Sequence, residues 1–321
     1  MTGGTEKIVK SLAEKCKASL RALSSASLPY ALLDFPYYAN VGDSAIWLGS
    51  RRLLKNHHGA QPAYVSTKMN FSVSQLNKAL PEGPIYLLGG GNFGDLYPAH
   101  QKFRTHVVGH FGSRVVQLPQ SLHFGSDEMF KQAKELAWLG MTLMVRDHAS
   151  HETATRLGFE PKLVPDFALG LGSQTRLNEP DRDMLVLSRT DKESIGADAA
   201  GVDWNAEVPL TSVYAALRST IAHKRFSRLH TFDTLAQIRV RRGLELLSLG
   251  KVVATDRLHG HILATLLGIP HFVSDNSTGK LTGYVDAWIP HSRLIEKRRD
   301  LSSISRADAR ALFIAWETGD T

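Results

Sequence analysis

At 321 residues, with 43% hydrophobic and 21% charged side chains, the chain is globular in composition and too long for one ordinary core, so two domains of roughly 150 residues are expected. No apolar run approaches the ~18 residues of a membrane helix, and Lys7, Lys10, Glu14 and Lys15 break up the place where a signal peptide would be apolar. A single cysteine excludes an internal disulfide, and a net charge of +7 without zinc spacing or a nucleic-acid motif points away from nucleic acid and toward a cytoplasmic protein with an anionic partner.

The first helix carries Ile8, Leu12, Cys16, Leu20 and Leu23 on one apolar face, so the thiol is expected to be buried and inert. A strand over 30–34 and a helix over 44–56 follow, the latter with His57 and His58 as a solvated end. Next come a strand over 63–66, a helix over 72–79, a strand over 85–88 and a helix over 99–109. Strands over 114–118, 142–145 and 162–164 then alternate with helices over 127–139 and 149–157. Such alternation predicts a parallel sheet covered on both faces. At 170–183 the composition turns polar, with Gly and Pro, and marks a connector. A second series has strands over 184–188, 251–255 and 271–274 and a last helix near 306–316, which is expected to cross back to the first domain. The fold class is therefore α/β, with an N-terminal Rossmann-like domain over 1–170 and a C-terminal one over 183–321. Two such domains facing each other make a cleft, where ligands prefer to bind, and a mobile connector would let it close. The densest basic patches are Lys224, Arg225 and Arg228; Arg239, Arg241 and Arg242; and Lys297, Arg298 and Arg299. They suit anionic lipid at a peripheral membrane contact, or a polyanionic substrate.

The most informative stretch lies near the end of the second series. The β-branched run over 252–255 stops at Asp256, Arg257, Leu258, His259 and Gly260, and an apolar helix over 261–267 ends at Gly268 and Pro270. Strand, polar turn and helix N-terminus is where an α/β sheet binds ligands. This turn offers a fixed cation, Arg257, a titratable group, His259, and backbone N–H groups suited to an anion. Five other segments share this character. At Asn40, Val41, Gly42 and Asp43, Gly42 permits a tight turn and Asp43 or Ser44 can cap the helix. Gly89, Gly90, Gly91 and Asn92 follow an apolar strand and let backbone approach a ligand, yet match neither the dinucleotide fingerprint nor a Walker loop. Arg146 ends a strand and either points into the cleft or makes a surface salt bridge, while Asp147 caps. Asp166 ends the next strand, where a structural turn suffices. Lys280 lies in a Gly- and Ser-rich loop after the last strand. None of the 14 histidines has metal spacing, and there is no GxSxG elbow.

Together these runs resemble the polysaccharide pyruvyl transferase family: NVGDSAI from Asn40, LGGGN from Leu88, VQLPQS from Val116, VRD from Val145, VPD from Val164 and DRLHGH from Asp256. The resemblance spans about 30–288. It implies two Rossmann-like domains similar to the GT-B glycosyltransferases. It also implies transfer of the pyruvyl group of phosphoenolpyruvate onto two hydroxyls of a sugar, forming a cyclic ketal and releasing phosphate. Catalytic or donor-binding roles are implied for Arg257, His259, Arg146 and Lys280. Substrate-binding roles fall to Asn40, Gly42, Asp43, Gly89, Gly90, Gly91, Asn92 and Leu258. The chemistry suits these residue types. A carboxylate plus a phosphate needs at least two fixed cations, and Arg pairs oxygen atoms better than Lys does. Protonating the methylene carbon needs an acid of near-neutral pKa, which a histidine supplies. No redox cofactor or metal is called for, and the acceptor is a polysaccharide or its lipid-linked precursor, met at the inner face of the membrane. Two readings compete: a GT-B glycosyltransferase using a nucleotide sugar, and a non-enzymatic module binding polyanions or lipid.

Overall fold

Short strands buried on both faces alternate with helices along the chain, as expected of parallel sheets with helical crossovers. The computed structural model describes residues 3–23, 27–189, 201–204, 227–275 and 279–318. The first series comprises α1 (Gly3–Arg21), β1 (Ala31–Leu33), α2 (Val41–His58), β2 (Tyr64–Ser66), α3 (Val73–Ala79), β3 (Ile85–Leu87), β4 (Gly90–Gly94) and α4 (Pro98–Phe111). It continues with β5 (Val115–His123), α5 (Asp127–Trp138), β6 (Thr142–Val145), α6 (His148–Arg156), β7 (Lys162–Leu163) and a 3-10 turn, Phe167–Leu171. The second comprises β8 (Arg182–Leu187), α7 (Arg228–Ser248), β9 (Gly250–Thr255), α8 (Leu258–Leu267), β10 (His271–Val273), α9 (Lys280–Trp288), β11 (Ile295–Lys297) and α10 (Arg306–Thr318). No described helix is long and apolar enough to cross a membrane.

The first sheet is parallel in the order β2-β1-β3-β5-β6-β7, with β4 pairing the far half of β5. Its order reverses between β1 and β3, so the segments after those strands open onto the crevice that α/β sheets use for ligands. β5 runs past the expected end at Leu118. Pro119 lacks an N–H, and the pairing of β5 with β6 shifts register between Gln117 and Gln120, which accommodates it. Beyond that shift β5 pairs with β4, which includes glycines expected in a turn that approaches a ligand. The second sheet is parallel in the order β11-β10-β9-β8.

Alternation along the strands divides the interior. Leu32, Tyr86, Leu88, Val116 and Met144 of the first sheet share a core with Leu185, Leu187, Val253 and Val273 of the second, filled by α1, α2, α7, α8 and α9. The opposite face of the first sheet packs against α3 to α6, through Leu76, Val107, Leu136 and Ala154. On the outer face of the second sheet, Val252, Ala254 and Phe272 meet Ala309 and Leu312 of α10. The last helix therefore covers its own sheet instead of crossing back.

α2 lies at the centre. Its buried Trp47 donates to Asp233 of α7 at 2.8 Å, and Arg51 pairs with the same carboxylate at 3.2 Å. The connector expected to be mobile is strapped down: Gln174 N–H reaches Leu266 O at 2.8 Å, and Arg176 donates to the Ser248 and Gly250 carbonyls at 3.0 and 2.7 Å. His58 does not dangle in solvent either, because it stacks on Tyr30 at 4.4 Å and bonds the Tyr86 hydroxyl at 3.0 Å. Cys16 is fully buried against Pro165 O at 3.6 Å, and burial pushes its thiol well up from the ordinary range.

Candidate active site

Two helix starts meet here. Asn40 caps α2, its Oδ1 accepting Asp43 N–H at 3.1 Å, so neither Asp43 nor Ser44 serves as the cap; the Asp43 carboxylate instead accepts the Tyr38 hydroxyl at 2.7 Å. Across from it, Thr255 Oγ1 accepts Arg257 N–H at 3.0 Å and donates to Leu187 O at 2.9 Å. That closes the turn early, so α8 begins at Leu258 and His259 lies in its first turn, ahead of the start expected at 261. The His259 ring packs on the first turn of α2: a Cβ on Gly42 would lie 2.5 Å from its Cγ and 2.8 Å from its Cβ, and closer still to Nδ1. Here glycine is demanded by close approach and not by backbone conformation.

Asp166 ties the histidine to the first sheet. Its Oδ1 accepts Ala168 N–H at 2.8 Å, the local turn expected from sequence. Its Oδ2, however, takes Arg146 Nη1 at 2.6 Å and faces His259 Nε2 at 3.6 Å. Burial alone would raise this carboxyl, but the neighbouring His259 ring and the Arg146 charge outweigh it and hold it well below the usual carboxylate range. The pair with Arg146 is buried, not a surface salt bridge. Arg146 Nε also donates to Ser121 Oγ at 2.9 Å, and Ser121 donates to Asp147 at 2.6 Å while Asp147 caps α6. A guanidinium held at two of its nitrogens keeps its remaining edge in a fixed direction.

That edge meets Lys280. A Cβ placed on Gly91 would lie 3.3 Å from Arg146 Nη2 and 3.8 Å from Lys280 Nζ, so the two cations hang over one glycine. Lys280 opens α9 and does not sit in a loop; Gly279 precedes it at φ 62°, and Asp275 Oδ1 accepts the Leu281 and Thr282 N–H groups at 3.1 and 3.2 Å. Asn276, Ser277 and Thr278, the polar residues before it, lie outside the described residues. Arg257 shares the cavity but turns to Asp203, one nitrogen reaching both carboxylate oxygens at 2.7 and 2.6 Å.

The cavity has a volume of about 450 Å³, and Arg146, Arg257, Leu258, His259, Lys280, Asn40, Asp43, Gly91 and Asn92 all line it. Gly89 and Gly90 do not. Gly89 backs onto Pro119, whose carbonyl oxygen would lie 2.6 Å from an added Cβ, and Gly90, at φ 136°, faces Asp43 and Ile46. Gly89 lets two strands pass closely, and Gly90 takes a backbone conformation that side chains disfavour. Tyr38, Lys68, His100, Arg189 and Trp204 also line the wall, and sequence reasoning missed them. None belongs to a motif, and each arrives from a different segment. Some side chains of the expected basic patches have partners within the chain: Arg228 donates to Val65 O at 3.2 Å and Arg239 to Pro36 O at 2.8 Å, and Arg298 pairs with Glu296 at 2.6 Å. Lys224 and Arg225 lie outside the described residues. Among the described residues no cluster of His, Cys, Asp and Glu could hold a metal ion.

Comparison with known proteins places this arrangement. The family model for polysaccharide pyruvyl transferase matches residues 40–278. Pyruvyl transferase 1 of Schizosaccharomyces pombe is 34% identical over 308 residues, covering 89% of this chain and 75% of that protein. The Bacillus subtilis protein EpsO is 32% identical over 288 residues, covering 82% of this chain and 87% of its own length. In fold, the crystal structure of an uncharacterized Klebsiella pneumoniae protein superposes with a TM-score of 0.60 at 18% identity, covering 90% of this chain and 99% of that one.

Proposed function

The chain belongs to the polysaccharide pyruvyl transferase family and is a transferase acting on polysaccharide, and from that premise we infer that phosphoenolpyruvate is its donor and a cyclic ketal its product. The observation carrying this reading is the convergence of Arg146 and Lys280 over Gly91, beside a histidine held against Gly42 and Asp166. Two cations on one floor suit a ligand bearing phosphate and carboxylate, and the rigid Arg146 fork suits paired oxygens. Arg257, released from Asp203, would supply a third. His259 protonates the methylene carbon, C2 becomes electrophilic, a sugar hydroxyl adds, phosphate leaves and a second hydroxyl closes the ring. The cations stabilise charge on the departing phosphate. Residues 1–170 and 183–321 then act as two Rossmann-like domains of GT-B type on either side of the cavity. The acceptor is a polysaccharide sugar or its lipid-linked precursor, met in the cytoplasm at the membrane's inner face. No redox cofactor or metal takes part, so dialysis against EDTA should leave the rate unchanged.

The test is phosphate release from phosphoenolpyruvate across a panel of acceptor glycosides, with the ketal methyl group identified by NMR. His259→Ala should fold, bind phosphoenolpyruvate and turn over about 10²–10⁴-fold more slowly, as for loss of a general acid. Near-normal turnover in the folded variant would move the acid elsewhere, and transfer from a nucleotide sugar instead would sink the donor assignment.

A further inference from the structure

Addition of a hydroxyl to C2 needs a group to take the hydroxyl proton; among the described lining residues the arginines stay charged, His259 is committed as the acid and the Asp43 carboxylate already accepts the Tyr38 hydroxyl. A second histidine stands on the wall built by the first sheet. His100, in the first turn of α4, points Nδ1 at Asp34 Oδ2 across 2.7 Å, and the two residues are only 7% and 5% exposed. Asp34 ends β1 at φ 67°, the single positive φ outside glycine among the described residues. Its Oδ1 is buried and has no hydrogen-bond partner there. A strained backbone and a half-satisfied buried carboxylate are both unfavourable, and they persist where the surrounding fold enforces a function.

The hydrogen bonding assigns the tautomer. With Nδ1–H donating to Asp34, Nε2 carries the lone pair. Lys68 Nζ lies 3.2 Å from Nε2 and is its donor in this state. Tyr38 meets the ring edge-on at 6.2 Å, and Asn92 Nδ2 is 3.3 Å from Nδ1. His100, Lys68, Tyr38 and Asn92 line the same cavity as Arg146, His259 and Lys280. Lys68 is half-buried on a flexible stem and can swing away.

We propose that His100, oriented by Asp34, is the base that accepts the proton of the attacking acceptor hydroxyl, Lys68 yielding Nε2 to that hydroxyl as the acceptor enters. This rests on the pyruvyl-transfer reading. In the step, the acceptor O–H bond breaks as the oxygen pair forms the bond to C2, and the proton passes to Nε2. The C2–C3 π pair takes a proton from His259, making the methyl group. The C2–O bond to phosphate then breaks, phosphate leaving with the electron pair. His100 hands that first proton to the departing phosphate and, neutral again, takes the proton of the second hydroxyl as its oxygen adds to C2, releasing it to solvent, from which His259 is reprotonated. The two hydroxyl protons end on the methyl group, through His259, and on the released phosphate. Asp34 is a positioning residue: it fixes the ring and stabilises the imidazolium.

The experiment uses the full chain with His100→Ala, His100→Gln and Asp34→Asn, each checked by thermal melt. Phosphoenolpyruvate affinity, measured by calorimetry, should be unchanged in all three. Turnover should fall about 10²–10⁴-fold in both His100 variants, the range for losing a general base, and added imidazole should restore part of it in His100→Ala. Asp34→Asn would donate to Nδ1 and reverse the tautomer, so kcat should fall steeply while the acceptor KM holds, a split that loosened folding would not produce. Wild-type turnover in His100→Gln, or no imidazole rescue in a folded His100→Ala protein that binds phosphoenolpyruvate, overturns the proposal alone. Wild-type protein that does not bind phosphoenolpyruvate overturns the pyruvyl-transfer reading, and this proposal with it.

Discussion

Gly42→Ala should damage catalysis while sparing the donor cations. The new methyl would lie 2.5 Å from His259 Cγ and 2.8 Å from its Cβ, against the ~3.5 Å that carbon atoms prefer. One partner must therefore retreat by roughly 1 Å. The α2 backbone is the stiffer one, since Asn40 caps it and the helix is embedded between α7 and the 3-10 turn at 167–171. The imidazole yields instead and swings off Asp166. A misplacement of about 1 Å at a reacting group can cost about 10²-fold in turnover, while overpacking costs about 1–3 kcal/mol of stability. Arg146 and Lys280 gather over Gly91, away from the added methyl, so phosphoenolpyruvate affinity should hold. Steady-state phosphate release with a melt on the same preparation reads both effects. A Gly42→Ala enzyme with wild-type kcat would refute the idea that His259 works from its seat against α2. Lost donor affinity at normal kcat would refute the division of labour between histidine and cations.

Asp166→Asn should leave Arg146 charged in a buried position without its carboxylate, costing about 3–5 kcal/mol in urea denaturation along with turnover; an unchanged midpoint would show that the ion pair is dispensable. Acid should destabilise the fold in two stages. His271, held from 6.5 down to about 4 by burial, and His261, lowered well below its ordinary value by burial and its neighbour, are neutral when folded. Their folded pKa values lie below the unfolded ones, so the stability they protect is full above pH ~6.5 and drains as pH falls toward 4, by up to about 3 kcal/mol for His271. Asp166, also depressed, adds its loss only below the ordinary carboxylate range. A flat stability profile between pH ~7 and ~4.5 would contradict the histidine stage. Arg257→Lys should raise the donor KM far more than the acceptor KM, by the ~1.5–3 kcal/mol of one charge-assisted bond; equal effects on both would remove Arg257 from the donor site.

Local pattern carried much of the fold. Strands such as β6 and β9 and helices such as α5 were legible because apolar periodicity and caps are short-range signals. Where local reading slipped, a tertiary partner had intervened. The strand expected to end at Leu118 runs on, because the register shift absorbs the missing N–H of Pro119 and a second partner strand continues the pairing. Gly90 and Gly91 looked like turn residues because nothing local announces that β5 waits beside them. Lys280 looked like a loop residue because Asp275, which caps its helix, acts from outside the helix across residues that favour no regular structure.

The candidate site divides along the same line. Arg146, Arg257, His259 and Lys280 stood out from the sequence alone because each follows a strand, and chain direction in a parallel sheet delivers every such segment to one edge. Their partners did not stand out. Asp166 lies 93 positions from the histidine it faces, and Asp34 and His100 are separated by 66. Strand order and the layer of helices shared by the two sheets decide which of these segments meet, and neither leaves a periodic trace in the chain. Gly42 shows the difference most plainly: its sequence context explains a helix start, while only the imidazole packed on it explains why no side chain fits there.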